Sequence, residues 1–225
     1  LAGIPMETRG VAAAPDPLSG GLTVWTSTQA PHNNRGELSA ALEIPTSHIR
    51  VIAPEVGGGF GVKIGNYPED FIVAALARDM NRPMKWVETR SENMQTTHHG
   101  RAQIAYMEAA ADKNGKIQAL KMRVIQDIGS YPRDTGNMNL TCLMGTGCYD
   151  IPAVEQTATG VYTNTMAVGA YRGAGRPEAA YYIERVIYLI ADEAGHDPAE
   201  VRRVNFVPPE KFPYVTAAGE RYDTG

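Results

Sequence analysis

A chain of 225 residues, 43% of them hydrophobic, has the material for one large domain or two small ones, and its net charge of −4 argues against general nucleic-acid binding. No apolar run approaches the ~20 residues that span a bilayer, and two cysteines, Cys142 and Cys148, are too few for a disulfide framework and suit a reducing compartment. The opening Leu1-Ala2-Gly3-Ile4-Pro5 has neither an initiator Met nor a basic leader, so the chain reads as a piece of something longer.

Residues 1–20, rich in Pro, Ala and Gly, read as a segment running over a surface. Leu22-Thr23-Val24-Trp25-Thr26-Ser27 alternates apolar and polar β-formers and predicts a strand. Pro31 suits the first turn of a helix that carries Leu38, Ala41 and Leu42 on one face and ends before Pro45. Gln29 is thereby left at a strand-to-helix junction. His48 to Ala53 reads as the next strand, and Tyr67 to Met80 as a helix with Ile72, Val73, Leu76 and Met80 at helical spacing. Between them lies Val56-Gly57-Gly58-Gly59-Phe60-Gly61-Val62-Lys63. Such a loop leaves backbone N–H groups uncovered and can hold an anion or cofactor. It is not a Walker loop, because Val62 and Ile64 occupy the glycine and Ser/Thr positions, and its spacing is not that of a dinucleotide fingerprint.

Met84 to Glu88 reads as a short strand with Trp86 in the core, and the adjacent His98 and His99 point to different sides, which is poor geometry for a metal. Arg101 to Asp112 and Lys116 to Tyr131 form a hairpin about Asn114-Gly115, the preferred centre of a type I′ turn, with Leu120, Met122 and Val124 on one face. Residues 132–151 have no period and read as a long loop. An extended stretch from Val154 to Met166 leads to Gly169-Ala170-Tyr171-Arg172-Gly173-Ala174-Gly175-Arg176-Pro177. The helix that follows carries Ala179, Ile183, Val186, Ile187, Ile190 and Ala194 on one stripe and stops at Gly195, and Asp197-Pro198-Ala199-Glu200 opens another. The hairpin interrupts the strand–helix alternation, so the prediction is an α+β fold, a mixed β-sheet with helices packed on it, with 1–225 as a single domain.

Gln29, the Gly57–Gly61 loop and the Ala170–Arg176 loop are three junctions of one kind. With Ser27-Thr28-Gln29, Lys63, Pro5-Met6-Glu7-Thr8-Arg9-Gly10, Tyr67-Pro68-Glu69-Asp70 and Arg202-Arg203-Val204-Asn205-Phe206, they resemble the molybdenum-cofactor (large) subunit of the xanthine dehydrogenase, aldehyde oxidoreductase and carbon monoxide dehydrogenase superfamily. The resemblance covers nearly the whole chain, and it implies the first cofactor-binding domain of such a subunit. The implied cofactor is molybdopterin-type, in its simple or cytosine dinucleotide form. The implied companions are the remainder of the large subunit, an iron–sulfur small subunit and an FAD medium subunit, in the cytoplasm. The implied reaction is hydroxylation of an electron-poor carbon with water as the oxygen source.

Carried over by position, Gln29 donates its amide to an oxo ligand. Gly58 and Gly59 allow close approach, Phe60 and Gly61 present backbone N–H groups, and Tyr171, Arg172 and Gly173 lie beside the cofactor, with the Arg172 charge offsetting it. Ile64, Ala174 and Arg176 face the substrate, although Arg176 could equally pair with Glu178. No side chain ligates the metal directly, Gln29, Phe60-Gly61 and Arg172 are expected in one cleft, and the catalytic glutamate is expected beyond residue 225. Alone, the chain is expected to lack turnover and tightly held molybdenum and to have mobile glycine loops. Two departures narrow the chemistry. Gly173 stands where copper-type carbon monoxide dehydrogenases place a cysteine, and Ile64 where purine hydroxylases place a glutamate. An aldehyde or N-heterocycle is then the expected substrate. The alternatives are a carbon monoxide dehydrogenase large-chain homologue without the copper-binding cysteine, or a non-catalytic phosphate- or nucleotide-binding scaffold.

Overall fold

The computed structural model describes residues 1–224. Within the span read from sequence as a single domain there are two compact units, Leu1–His99 and the portion from Gly100 onward. Each is built on a mixed sheet, as the α+β prediction requires.

The first unit has strands β1 (Gly10–Pro15), β2 (Leu22–Thr26), β3 (Ile49–Ile52) and β4 (Met84–Val87) in the order β3-β2-β1-β4. β2 pairs with β3 in parallel, while β1 pairs with β2 and β4 antiparallel. The segment expected on the surface therefore contains a strand hydrogen-bonded on both sides. Its Val-Ala-Ala-Ala run carries little strand propensity of its own, so pairing decides its conformation, and Val11 and Ala13 alternate into the core.

Helices α1 (Pro31–Leu42) and α2 (Pro68–Asp79) pack on this sheet. α1 buries Asn34, Leu38 and Leu42 and leaves Ala41 exposed. α2 buries Asp70, Val73, Ala74 and Ala77, so that of the residues read at helical spacing Val73 is buried while Ile72, Leu76 and Met80 are exposed. Two registers of one helical period competed here. The small residues let the helix lie close, and Asp70 locks that face by accepting from the Tyr67 amide (2.9 Å) and the Thr26 hydroxyl (2.9 Å). A short helix α3 (Arg90–Thr96) follows, closed by a Thr89–Glu92 capping box.

The second unit holds β5 (Gln103–Ala111), β6 (Ile117–Gly129) and β7 (Val154–Tyr162), with β5–β6 antiparallel and β6–β7 parallel. Leu120, Met122 and Val124 share the buried face as predicted. The hairpin turn is not type I′. Gly115 alone of its central pair has positive φ (79°), and its N–H donates to Asp112 O (2.9 Å), the pattern of a type I turn followed by a left-handed glycine.

Helix α4 (Gly136–Leu143) lies inside the stretch read as a loop. Its buried positions are Asn137 and Thr141, a polar pair that no search for apolar period detects. α5 (Arg176–Ala194) runs to a left-handed Gly195, and α6 (Pro198–Asn205) is capped by Asp197. Ile183, Val186, Ile187 and Ala191 of α5 join Ile117, Leu120, Tyr149, Ile151 and Val201 in one core. Each large aliphatic side chain so buried contributes roughly 1.5–3 kcal/mol.

Candidate functional site

The glycine loop of the first unit is held from three sides. The Gln29 backbone N–H donates to Lys63 O (3.0 Å), and Gln29 Oε1 accepts from the backbone N–H of Gly61 (2.9 Å) and of Lys63 (3.4 Å). Backbone N–H groups can meet only the carbonyl oxygen of an amide side chain, so Nε2 is the outward end. The side chain is exposed, and Nε2 makes no hydrogen bond among the described residues. A Cβ at Gly59 would lie 2.3 Å from Gln29 Oε1, so only glycine permits this contact. Phe60 takes a left-handed φ of 54° between glycines and leaves its ring exposed, as does Ile64.

Glu7 braces the other flank. Its Oε2 accepts from Gly57 N–H (2.8 Å) and from Lys63 Nζ (2.6 Å), and its own N–H donates to Gly57 O (3.1 Å). The Lys63 side chain has 0% exposure, so this carboxylate is its counter-charge. From behind, Thr28 Oγ1 donates to Lys63 O (3.2 Å), Asn34 Nδ2 to Asn66 Oδ1 (2.8 Å), and Tyr67 OH to Val62 O (2.7 Å). His98 is buried, with Nδ1 3.1 Å from that hydroxyl and its ring parallel to that of Tyr67.

Arg9 extends the brace. Its guanidinium donates to Glu88 Oε1 (2.5 and 3.0 Å) and Glu69 Oε2 (3.1 Å) and lies 3.8 Å over the Tyr67 ring. Burial pushes the Glu88 carboxyl up, but the hydrogen bonds and charge of Arg9 outweigh it and hold Glu88 below its usual value. Asp70 is the reverse case, with burial raising it against the Tyr67 and Thr26 hydrogen bonds.

In the second unit, Gly173 (φ 107°), Ala174 (47°) and Gly175 (91°) form a left-handed run before α5. A Cβ at Gly175 would meet Asn137 O at 2.2 Å, and Thr141 Oγ1 donates to Gly175 O (3.1 Å), so α4 supports this loop. Arg172 is exposed. Arg176 is exposed and donates to Gly173 O (3.3 Å). It does not pair with Glu178, which is buried and bound to Arg101 (3.1 Å).

The structure thus brings Gln29 together with Gly58, Gly59, Phe60, Gly61 and Ile64 in one unit, and Tyr171, Arg172 and Gly173 with Ala174 and Arg176 in the other. One of the expected donors has a partner within the protein: the Gly61 N–H donates to Gln29 Oε1. Sequence reasoning gave no role to Glu7, Asn34 or Arg101. Glu7 stands in a quoted motif, but its partner Lys63 is 56 positions away, and no local signal joins the two.

Chemically, the loop of the first unit offers a neutral outward donor and that of the second an exposed guanidinium, each of a kind that an oxygen-rich anionic ligand can use. Among the described residues no group of three His, Cys, Asp or Glu side chains is placed to hold a metal ion. Both cysteines are free thiols that burial pushes up. No described helix is long and apolar enough to cross a membrane.

A family model described as a molybdopterin cofactor-binding domain matches residues 1–206. The chain is 39% identical to the carbon monoxide dehydrogenase large chain of Hydrogenophaga pseudoflava, across 98% of this chain and 28% of that protein. It is 34% identical to the nicotine 6-hydroxylase large subunit of Paenarthrobacter nicotinovorans, across 100% of this chain and 28% of that protein. Among solved structures it is similar to quinoline 2-oxidoreductase from Pseudomonas putida 86, with a TM-score of 0.91 and 36% identity over 99% of this chain and 29% of that one. The chain therefore spans less than a third of the length of these relatives.

Proposed function

Because the chain belongs to the molybdopterin cofactor-binding domain family, we propose that it supplies part of the cofactor site of a molybdenum hydroxylase that oxidises an aldehyde or an N-heterocycle with water as the oxygen donor. The observation that carries this reading is the orientation of Gln29. Its carbonyl is spent on the loop, so its amide is left to donate outward.

When bound, the cofactor supplies the redox chemistry, transferring oxygen to carbon and accepting two electrons. The protein supplies position and charge. Gln29 Nε2 donates to an oxygen acceptor of the cofactor and orients it without adding a charge. Gly58 would border the ligand, Gly59 leaves the room that the Gln29 side chain fills, and the hydrogen bonds of Glu7 to Gly57 and Lys63 brace the loop that aims this donor. In the second unit, Tyr171, Arg172 and Gly173 would border an anionic ligand, whose charge the Arg172 guanidinium would offset. Ile64 and Ala174 present apolar surface to substrate, and Arg176 favours an anionic one.

Relatives named for quinoline and nicotine support the N-heterocycle class. The carbon monoxide dehydrogenase relative supports descent from a common large chain, but Gly173 offers no thiolate for copper. A phosphate-binding scaffold needs no such glutamine, since backbone N–H groups suffice for a phosphate. The remainder of the large subunit would supply the catalytic base, and iron–sulfur and FAD subunits would carry electrons away, in the cytoplasm where Cys142 and Cys148 stay reduced.

The test is turnover by the full-length assembled protein with a dye acceptor, using N-heterocycles, aldehydes and carbon monoxide in isotopically labelled water. The reading predicts labelled product from one of the first two classes and none from carbon monoxide. Oxygen drawn from dioxygen, or turnover of carbon monoxide alone, would overturn it.

A further inference from the structure

Arg101 is unusual in three respects that have one explanation. It and Ala102 are consecutive non-glycine residues with left-handed backbone, φ 75° and 60°. Gly100, just before, has no room for a side chain, because a Cβ there would lie 2.3 Å from Tyr171 Cβ. The guanidinium itself is spent on one short segment. Nη1 donates to Tyr171 O (3.2 Å) and to both oxygens of Glu178 (3.2 and 3.1 Å), Nη2 donates to Arg172 O (3.0 Å), and the Tyr171 ring lies 5.0 Å from the guanidinium carbon. The strained backbone is the arrangement that delivers this side chain to two successive carbonyls at once.

We propose that Arg101, with Glu178 as its counter-ion, is a positioning residue that holds the Tyr171–Arg172 peptide segment in its ligand-facing conformation. The relevance to cofactor binding rests on the reading of that loop given above. A planar fork with five donors can bridge two carbonyls and a carboxylate together. Glu178, buried in the first turn of α5, fixes the fork, so the segment is tied to the helix through one side chain. Tyr171 O also accepts from Ala174 N–H (3.0 Å), so movement there passes into the left-handed run. A lysine keeps the charge but not the geometry.

The experiment uses the full-length protein, prepared with and without cofactor, as wild type, Arg101→Ala, Arg101→Lys, Glu178→Gln and the exposed control Arg203→Ala. Amide hydrogen exchange of the cofactor-free form comes first. Arg101→Ala and Arg101→Lys are expected to speed exchange at residues 171–175 by about tenfold or more, the consequence of losing charge-assisted hydrogen bonds. Glu178→Gln should have a smaller effect, and Arg203→Ala none. Peptides of β6 should stay at wild-type rates in every variant. In the loaded form, the molybdenum(V) paramagnetic spectrum should shift in the Arg101 variants and not in Arg203→Ala, which a purely structural role would not produce. Wild-type exchange at 171–175 in Arg101→Lys, or acceleration spread evenly over β5 and β6, would overturn the proposal. If Arg101→Ala fails to fold, Arg101→Lys decides. If the wild type holds no molybdenum, the cofactor reading fails, while the exchange data still decide the positioning role.

Discussion

Lys63, whose side chain has no exposure, meets the Glu7 carboxylate at 2.6 Å. Glu7 is itself 38% exposed, so the pair stands between the surface and buried cases, and Glu7→Gln should cost about 1–3 kcal/mol in chemical denaturation. Adding Lys63→Met should recover most of that loss, because the uncompensated charge is gone; a double variant as weak as the sum of the single ones would contradict the pairing. Gln29→Glu separates bracing from donation. A carboxylate still accepts from Gly61 and Lys63, so stability should hold, but the outward donor is lost and kcat of the full-length enzyme should fall by roughly 10²–10³-fold. Wild-type turnover would remove Gln29 from the site. The position of Gln29 at a strand-to-helix junction beside glycines was legible in the sequence. That its amide nitrogen faces outward came only from the family resemblance, since the contacts that fix it are backbone donors more than thirty residues away.

Among the elements, strands and helices with strong apolar period were legible, as β6 and α5 illustrate, and the failures share a cause. α2 offered two interleaved stripes, and the smaller residues won because Asp70 anchors that face. α4 buries Asn137 and Thr141, so its signal is polar. β1 owes its state to neighbours on both sides. The α3 box, Thr89 with Glu92, was in plain view and unread; Thr89→Ala should cost about 1 kcal/mol, measured by denaturation. Acid stability follows from the Arg9–Glu88 link between β1 and the end of β4. The folded-state pKa of Glu88 lies below its usual 4.5, so this carboxylate contributes stability that is complete above 4.5 and is lost as pH falls through the folded value. Asp70 runs the other way: its raised pKa means folding carries a cost above 3.8, relieved on acidification. Glu88→Gln should therefore flatten the loss of stability below pH 4.5. An unchanged acid limb in that variant would show that Glu88 does not set it.

At the scale of the molecule, the chain has two mixed-sheet units, each with a glycine-rich loop feeding a helix, and the family match extends over residues 1–206. Motif order made the family legible before any coordinates. The division into two units was not, because the hairpin and the helices around it follow one another with no composition shift at residue 100. The bracing hydrogen bonds around residues 57–63 are made within the protein itself, which is how a donor can be aimed before its ligand arrives. The central claim is that this loop holds a molybdenum-bearing pterin. Its most direct test is metal and pterin analysis of the purified full-length protein beside Gly59→Val, whose side chain would occupy the space taken by Gln29. Stoichiometric molybdenum and pterin in the wild type, with both largely lost in Gly59→Val while the fold is retained, is the predicted result. A wild type free of both, or a Gly59→Val protein that keeps its full complement, would contradict it.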